Sequence, residues 1–200
     1  MKQLKNSLKA GFTIVELIVV IVVIAILAVV SIVAYNGIQE KAYNAQIISG
    51  VSQYRDAIES YKVHYGYYPR TTREIAAQEV AVACLGEGYD EDYCGRISGV
   101  DIYEDPAFNA ELRKVGGGPA ISADALQVGS ESFTGAVYGI DFVDYSKSPT
   151  GYARTIQYAT HGGSTDCKLK GAWSYNLSDN PPITACEIIL EIVPAPIEDL

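Results

Sequence analysis

From Leu17 to Ala34 every side chain except that of Ser31 is apolar or small, and none is charged. At about 1.5 Å of rise per residue, a helix over residues 12–34 would span roughly 34 Å, enough to cross a hydrocarbon core of about 30 Å. In lipid such a segment must satisfy its own backbone, so a helix is predicted despite the Val and Ile bias. The pattern then turns amphipathic. Ile47, Val51, Tyr54, Ile58, Tyr61 and Tyr65 recur every three or four residues, with Gln46, Gln53, Arg55, Asp56, Glu59 and Lys62 mostly off that stripe. One helix from about Phe12 to about His64 is expected, with Gly37 and, more weakly, Gly50 as places for a bend. Gly66-Tyr67-Tyr68-Pro69 stops it, glycine falling just past the periodic residues and proline soon after.

Beyond the stop, Thr72 is a candidate cap for a short helix over Arg73–Leu85. Residues 86–135 show little periodicity. Their acids (Glu87, Asp90, Glu91, Asp92, Asp101, Glu104, Asp105) read first as a solvated loop and second as an ion site, because the spacing does not fit a calcium-binding D-x-[DN]-x-[DN]-G run. Gly116-Gly117-Gly118-Pro119 is a flexible break. Four strands follow, over Ala136–Tyr145, Tyr152–Thr160, Lys170–Leu177 and Cys186–Val193, with turns at His161–Ser164 and Ser178–Pro182. Val137, Ile140, Phe142, Tyr145, Tyr152, Ile156 and Tyr158 are the candidate inward positions. The predicted architecture is α+β: a long N-terminal helix with a C-terminal antiparallel sheet of about four strands, paired as a meander, laid on its second half.

One acid interrupts the apolar helix near its start. A carboxylate at the centre of a membrane helix costs about 2.5–3.5 kcal/mol and less near the end, so Glu16 needs a reason. Lys2, Lys5 and Lys9 precede the apolar run, which lacks the small-x-small cleavage site of a secretory signal. If the chain were cut to begin at Phe12, the new amine would lie about one turn from Glu16 and could neutralise it, within a subunit or between neighbours. A lone anchor with Glu16 in the headgroup layer is the simpler alternative.

The run Gly11-Phe12-Thr13-Ile14-Val15-Glu16-Leu17, behind a Lys-rich leader and ahead of a long apolar helix, resembles the N-terminus of type IV pilins and pseudopilins. The resemblance implies cleavage after Gly11 by a prepilin peptidase, N-methylation of Phe12, and assembly guided by Glu16. Tyr61–Pro69 is similar to the "Y…G-x-YP" helix ending of many pseudopilins and Gram-positive pilins. Many members carry a proline partway along the apolar helix, where this chain has Val33. The implied organisation is a leader (1–11), an apolar membrane and assembly helix (12–34), its amphipathic continuation (35–65) and a globular head (66–200). The implied partners are other copies of the chain, related pilins, the peptidase and an assembly platform in the cytoplasmic membrane. The implied location is a single-pass membrane protein, N-terminus inside and head outside, and then a cell-surface filament. A structural filament subunit is the leading expectation. A minor pseudopilin of a secretion or competence filament, or an anchored binding protein that never polymerises, remain the alternatives.

Composition narrows the picture further. The formal net charge of -9, more negative once the leader lysines are gone, disfavours nonspecific binding of nucleic acid. Cys84, Cys94, Cys167 and Cys186 form an even set in an outward-facing head and admit three pairings. Cys84–Cys94 with Cys167–Cys186, closing loops of roughly ten and twenty residues, is the one favoured. Zinc is disfavoured because no close CxxC pair is present and His64 and His161 lie far from a useful spacing. No G-x-S-x-G elbow, Walker loop or H-E-x-x-H run occurs, so no catalytic residue and no cofactor is expected. The clustered Tyr65, Tyr67 and Tyr68 read first as rigid packing groups and second as a binding surface.

Overall fold

A computed structural model describes residues 12–75, 81–97, 99–118, 121, 126–128, 131–143, 151–163, 167–180 and 182–193. The chain forms two units, Met1–Glu40 and Lys41–Leu200. Helix α1 (Ile14–Tyr65) begins in the first and ends in the second. Within the second unit the elements run α2 (Thr72–Ile75), β1 (Ala81–Cys84), β2 (Tyr93–Ile97), β3 (Val100–Tyr103), α3 (Pro106–Arg113), β4 (Leu126–Val128), β5 (Glu131–Phe133), β6 (Ala136–Val143), β7 (Gly151–His161), β8 (Ala172–Asp179) and β9 (Pro182–Val193).

The amphipathic part of α1 supplies one side of the core. Tyr43, Ile47, Val51, Tyr54, Ala57, Ile58 and Tyr61 are buried, while Tyr65, expected to close the stripe, is 39% exposed. The helix stops where Gly66 takes φ +83° and donates its N–H to Lys62 O, a conformation open to glycine at little cost. Gly50 is a packing site. A Cβ there would come within 2.8 Å of the Ile121 side chain, so the missing side chain is what lets Ile121 approach.

The larger sheet has the order β1-β6-β7-β9-β8. It has five antiparallel strands rather than four, and it is not a meander: β9 inserts between β7 and β8. Tyr138, Ile156, Ile188 and Ala172 stand in register across β6, β7, β9 and β8. Tyr138, Ile156 and Ile188 join Ile47, Val51, Tyr54 and Ile58 of α1 in one apolar cluster. Burying an apolar side chain of this size contributes roughly 1.5–3 kcal/mol, so this helix-on-sheet contact is the main stabilising layer of the head. Trp173 and Tyr175, on the edge strand β8, remain about half exposed. Phe142 and Tyr145, two of the expected inward positions, lie where side chains or residues are outside the described set; Ile140 is only partly buried.

Residues 73–85 are a correction. Among the described residues of this stretch, helix is confined to Thr72–Ile75, and Ala81–Cys84 is an edge strand paired with β6. All four of its side chains are buried, so it lacks the period-2 alternation that marks a half-exposed strand. The cap also falls one residue earlier, Thr71 Oγ1 accepting the Glu74 N–H at 3.1 Å. Thr72 instead donates its N–H and hydroxyl to Asp105, at 2.5 and 2.9 Å.

The segment expected to be a solvated acidic loop holds a second antiparallel sheet, order β3-β2-β5-β4, together with α3. Several of its acids are structural. Asp105 caps α3 through the Phe108 N–H at 3.0 Å, with Pro106 in the first turn. Glu104 accepts the Gly88 and Tyr89 N–H groups at 2.6 and 2.7 Å. Asp90, Glu91 and Asp92 stay exposed. Disulfides join Cys84 to Cys94 and Cys167 to Cys186. The first links the two sheets, and the second ties β9 to the segment before β8.

A polar clasp fastens the α1–α2 connector to the larger sheet. Arg154 on β7 donates from Nη1 and Nη2 to Glu74 Oε2 and Oε1 at 2.7 and 2.9 Å. Tyr138 donates to Pro69 O at 2.7 Å and stacks on Phe108 with ring centroids 5.1 Å apart. Burial pulls the Arg154 pKa down, but the hydrogen bonds and charges of Glu74 and Tyr138 hold it above its ordinary value, so the guanidinium is permanently charged.

Candidate functional site

In the first unit the apolar run is helical and uncovered. Phe12, Ile14, Val15, Leu17 and the Val and Ile residues through Ile32 whose side chains are described are about half exposed or more. Among the described residues α1 is the one helix long and apolar enough to cross a membrane. The one hydroxyl between Leu17 and Ala34, Ser31 Oγ, donates to Leu27 O at 2.7 Å. Apolar surface this extensive is unfavourable in water and calls for lipid or other helices around it.

Glu16 sits in the first turn, and its partner is local. Thr13 donates both its backbone N–H (2.8 Å) and its hydroxyl (2.7 Å) to Glu16 Oε2, while Thr13 Oγ1 accepts the Glu16 N–H at 3.2 Å. This is a reciprocal capping box, with Thr13 just ahead of the helix and Glu16 three residues on. The T-x-x-E spacing that signals it is plain in the sequence. Both bonds to the carboxylate fall on Oε2, and an ionised carboxylate has about four acceptor positions. The cap therefore leaves Oε1 available for a second partner.

Phe12 lies beside this cap, 79% exposed. Residues 1–11, Gly11 among them, fall outside the described residues. Residues 6–32 match the family described as the prokaryotic N-terminal methylation motif. The chain carries the N-terminal signature of type IV pilins and pseudopilins. The match includes Gly11, Phe12, Glu16 and most of the apolar run, and ends at residue 32. The head has the pilin arrangement all the same, a long N-terminal helix packed against a C-terminal antiparallel sheet. No curated protein and no solved structure matches the chain.

Among the described residues no group of three or more His, Cys, Asp or Glu side chains is placed to hold a metal ion. His161 is fixed by its backbone, which exchanges hydrogen bonds with the Asn44 amide at 2.8 Å in both directions. Its ring meets Tyr43 edge-on at 4.8 Å. His64 packs edge-on against Tyr65.

Proposed function

We propose that this chain is a structural subunit of a type IV pilus or related filament, cut after Gly11, methylated at Phe12 and assembled through its apolar helix. The observation that carries this is a bare apolar helix whose only early acid is held by its own cap with one oxygen to spare. Before assembly the helix rests in lipid, the leader lysines inside and the acidic head outside, in keeping with the positive-inside bias. During assembly it leaves lipid for a bundle of identical helices, so its apolar surface stays covered throughout. Glu16 Oε2 remains on Thr13, and Oε1 meets the Phe12 amine of an adjacent subunit. A slipped neighbour would leave a buried carboxylate uncompensated, which sets the axial register. Repeated head-to-tail contacts that do not close then give an open helical filament. The prepilin peptidase and a membrane assembly platform are the partners this route requires.

Two substitutions test the reading. Glu16→Val should leave processing intact and abolish filaments in sheared surface fractions, whereas abundant normal filaments would remove Glu16 from the register. Gly11→Val should block the cut, and a mature chain of unchanged mass would refute the site.

A further inference from the structure

Arg154, the centre of the clasp, also lines a cavity of about 540 Å³, within the roughly 300–1,000 Å³ of small-molecule sites. Arg154 lies in its wall and is only 5% exposed. Its two terminal nitrogens are occupied by Glu74, but its buried Nε makes no hydrogen bond. The nearest carboxylate oxygen to it, Glu191 Oε2, is 3.5 Å away on a side chain 43% exposed. A buried donor without an acceptor is unfavourable, and an entering oxygen would satisfy it.

The remaining walls are equally suggestive. Lys62 and Arg70 bring two more cations, Lys62 Nζ lying 4.1 Å over the Tyr68 ring. The acids behind them are already engaged: Glu74 by Arg154 and Arg70, Glu59 by the Tyr68 hydroxyl. Glu191 is the acid that lines the cavity itself. Tyr67 is 55% exposed and belongs to an aromatic group with Tyr61 and Tyr65, at centroid distances of 5.9 and 6.4 Å.

We propose that this cavity binds a carboxylate-bearing pyranose, the uronic-acid unit of an acidic polysaccharide. The carboxylate takes the Arg154 Nε–H and the field of Lys62 and Arg70. The apolar face of the ring lies on Tyr67, which offers rigid aromatic area at low entropic cost. Glu191 moves off Arg154 and accepts hydrogen bonds from the ring hydroxyls. An acidic peptide would use the cations but neither the aromatic wall nor the acceptor, so the sugar fits the whole site. Binding here is independent of filament assembly and of the apolar helix.

The test uses the full-length chain in detergent micelles, titrated with glucuronate, glucose and acetate by calorimetry and by saturation-transfer NMR. Glucuronate should saturate with a Kd of roughly 1 mM, and glucose and acetate should each bind about tenfold more weakly or worse. Lys62→Ala with Arg70→Ala, and separately Tyr67→Ala, should each weaken glucuronate about tenfold while the near-UV spectrum of the head is retained. Arg154 is left intact because the fold depends on it. Acetate binding as tightly as glucuronate would remove the pyranose, and glucose binding as tightly would remove the carboxylate. Absence of saturable glucuronate binding, or variants that bind like the parent, would overturn the site altogether.

Discussion

Replacing Glu74 with alanine should destabilise the head more than most single substitutions in it. Arg154 and Glu74 side chains are 6% and 10% exposed, and their two bonds are 2.7 and 2.9 Å long. Once Glu74 is gone, the guanidinium keeps only the Tyr138 hydroxyl at 3.3 Å, Pro69 O at 3.4 Å and Glu191 at 3.5 Å. Of these only Glu191 carries a charge, on a side chain 43% exposed and without a hydrogen bond to the guanidinium. Breaking a buried pair from one side costs about 3–5 kcal/mol because the surviving charge is uncompensated. At roughly 2–4 °C per kcal/mol for a domain of this size, the melting temperature should fall by about 10 °C. The Arg70–Glu74 bond is lost too, but Arg70 is 53% exposed and such a pair contributes less than about 1 kcal/mol. Urea unfolding followed by near-UV circular dichroism of the full chain in micelles reads the change. Glu74→Leu combined with Arg154→Met should be closer to the parent than Glu74→Ala, since both charges then leave together. A Glu74→Ala loss under about 1 kcal/mol would show that the clasp is not what holds the connector.

Two other consequences concern the same head. A Cβ at Gly139 would stand 2.1 Å from Ala81 O, so Gly139→Ala should push β1 off β6 and cost about 3 kcal/mol; a variant as stable as the parent in urea would contradict that close approach. Burial pushes the Tyr54 hydroxyl up to about 12 and raises those of Tyr89 and Tyr138 as well. In the unfolded chain these groups ionise near pH 10, so the folded state holds more protons above that point. Stability should therefore be level below about pH 10 and fall between about 10 and 12. Full tyrosine ionisation near pH 10, read at 295 nm in a head still folded, would refute the burial.

Much of this architecture is legible in sequence because its largest pieces are periodic. An uncharged apolar run and a three-to-four spacing through Tyr61 define α1, and Gly66 with Pro69 ends it. The long strands β6, β7, β8 and β9 emerge from apolar runs between Gly, Pro and Asp punctuation. What is not legible depends on partners distant in sequence. Ala81–Cys84 is buried on all sides and short, so Ile75, Val80 and Ala83 read as a helical face. The strands of the second sheet run three to five residues among acids, and their pairing is decided by Cys94 and Phe133 inside the fold. The insertion of β9 between β7 and β8 leaves no local trace. At the N-terminus, Glu16 is conspicuous as an acid in an apolar helix, and the T-x-x-E spacing with Thr13 marks it as a capping partner. Arg154 carried no sequence signal: a lone arginine in a strand gives no hint that Glu74 lies opposite.

The central claim is that the chain is cut and built into filaments through its first segment. Intact-mass and N-terminal peptide analysis of the major protein in sheared surface filaments tests it most directly. The account predicts a chain that begins at N-methylated Phe12 and carries the mass deficit of two disulfides. Finding only a membrane-bound monomer, cut or uncut, with no trace of this chain in filaments, would contradict it.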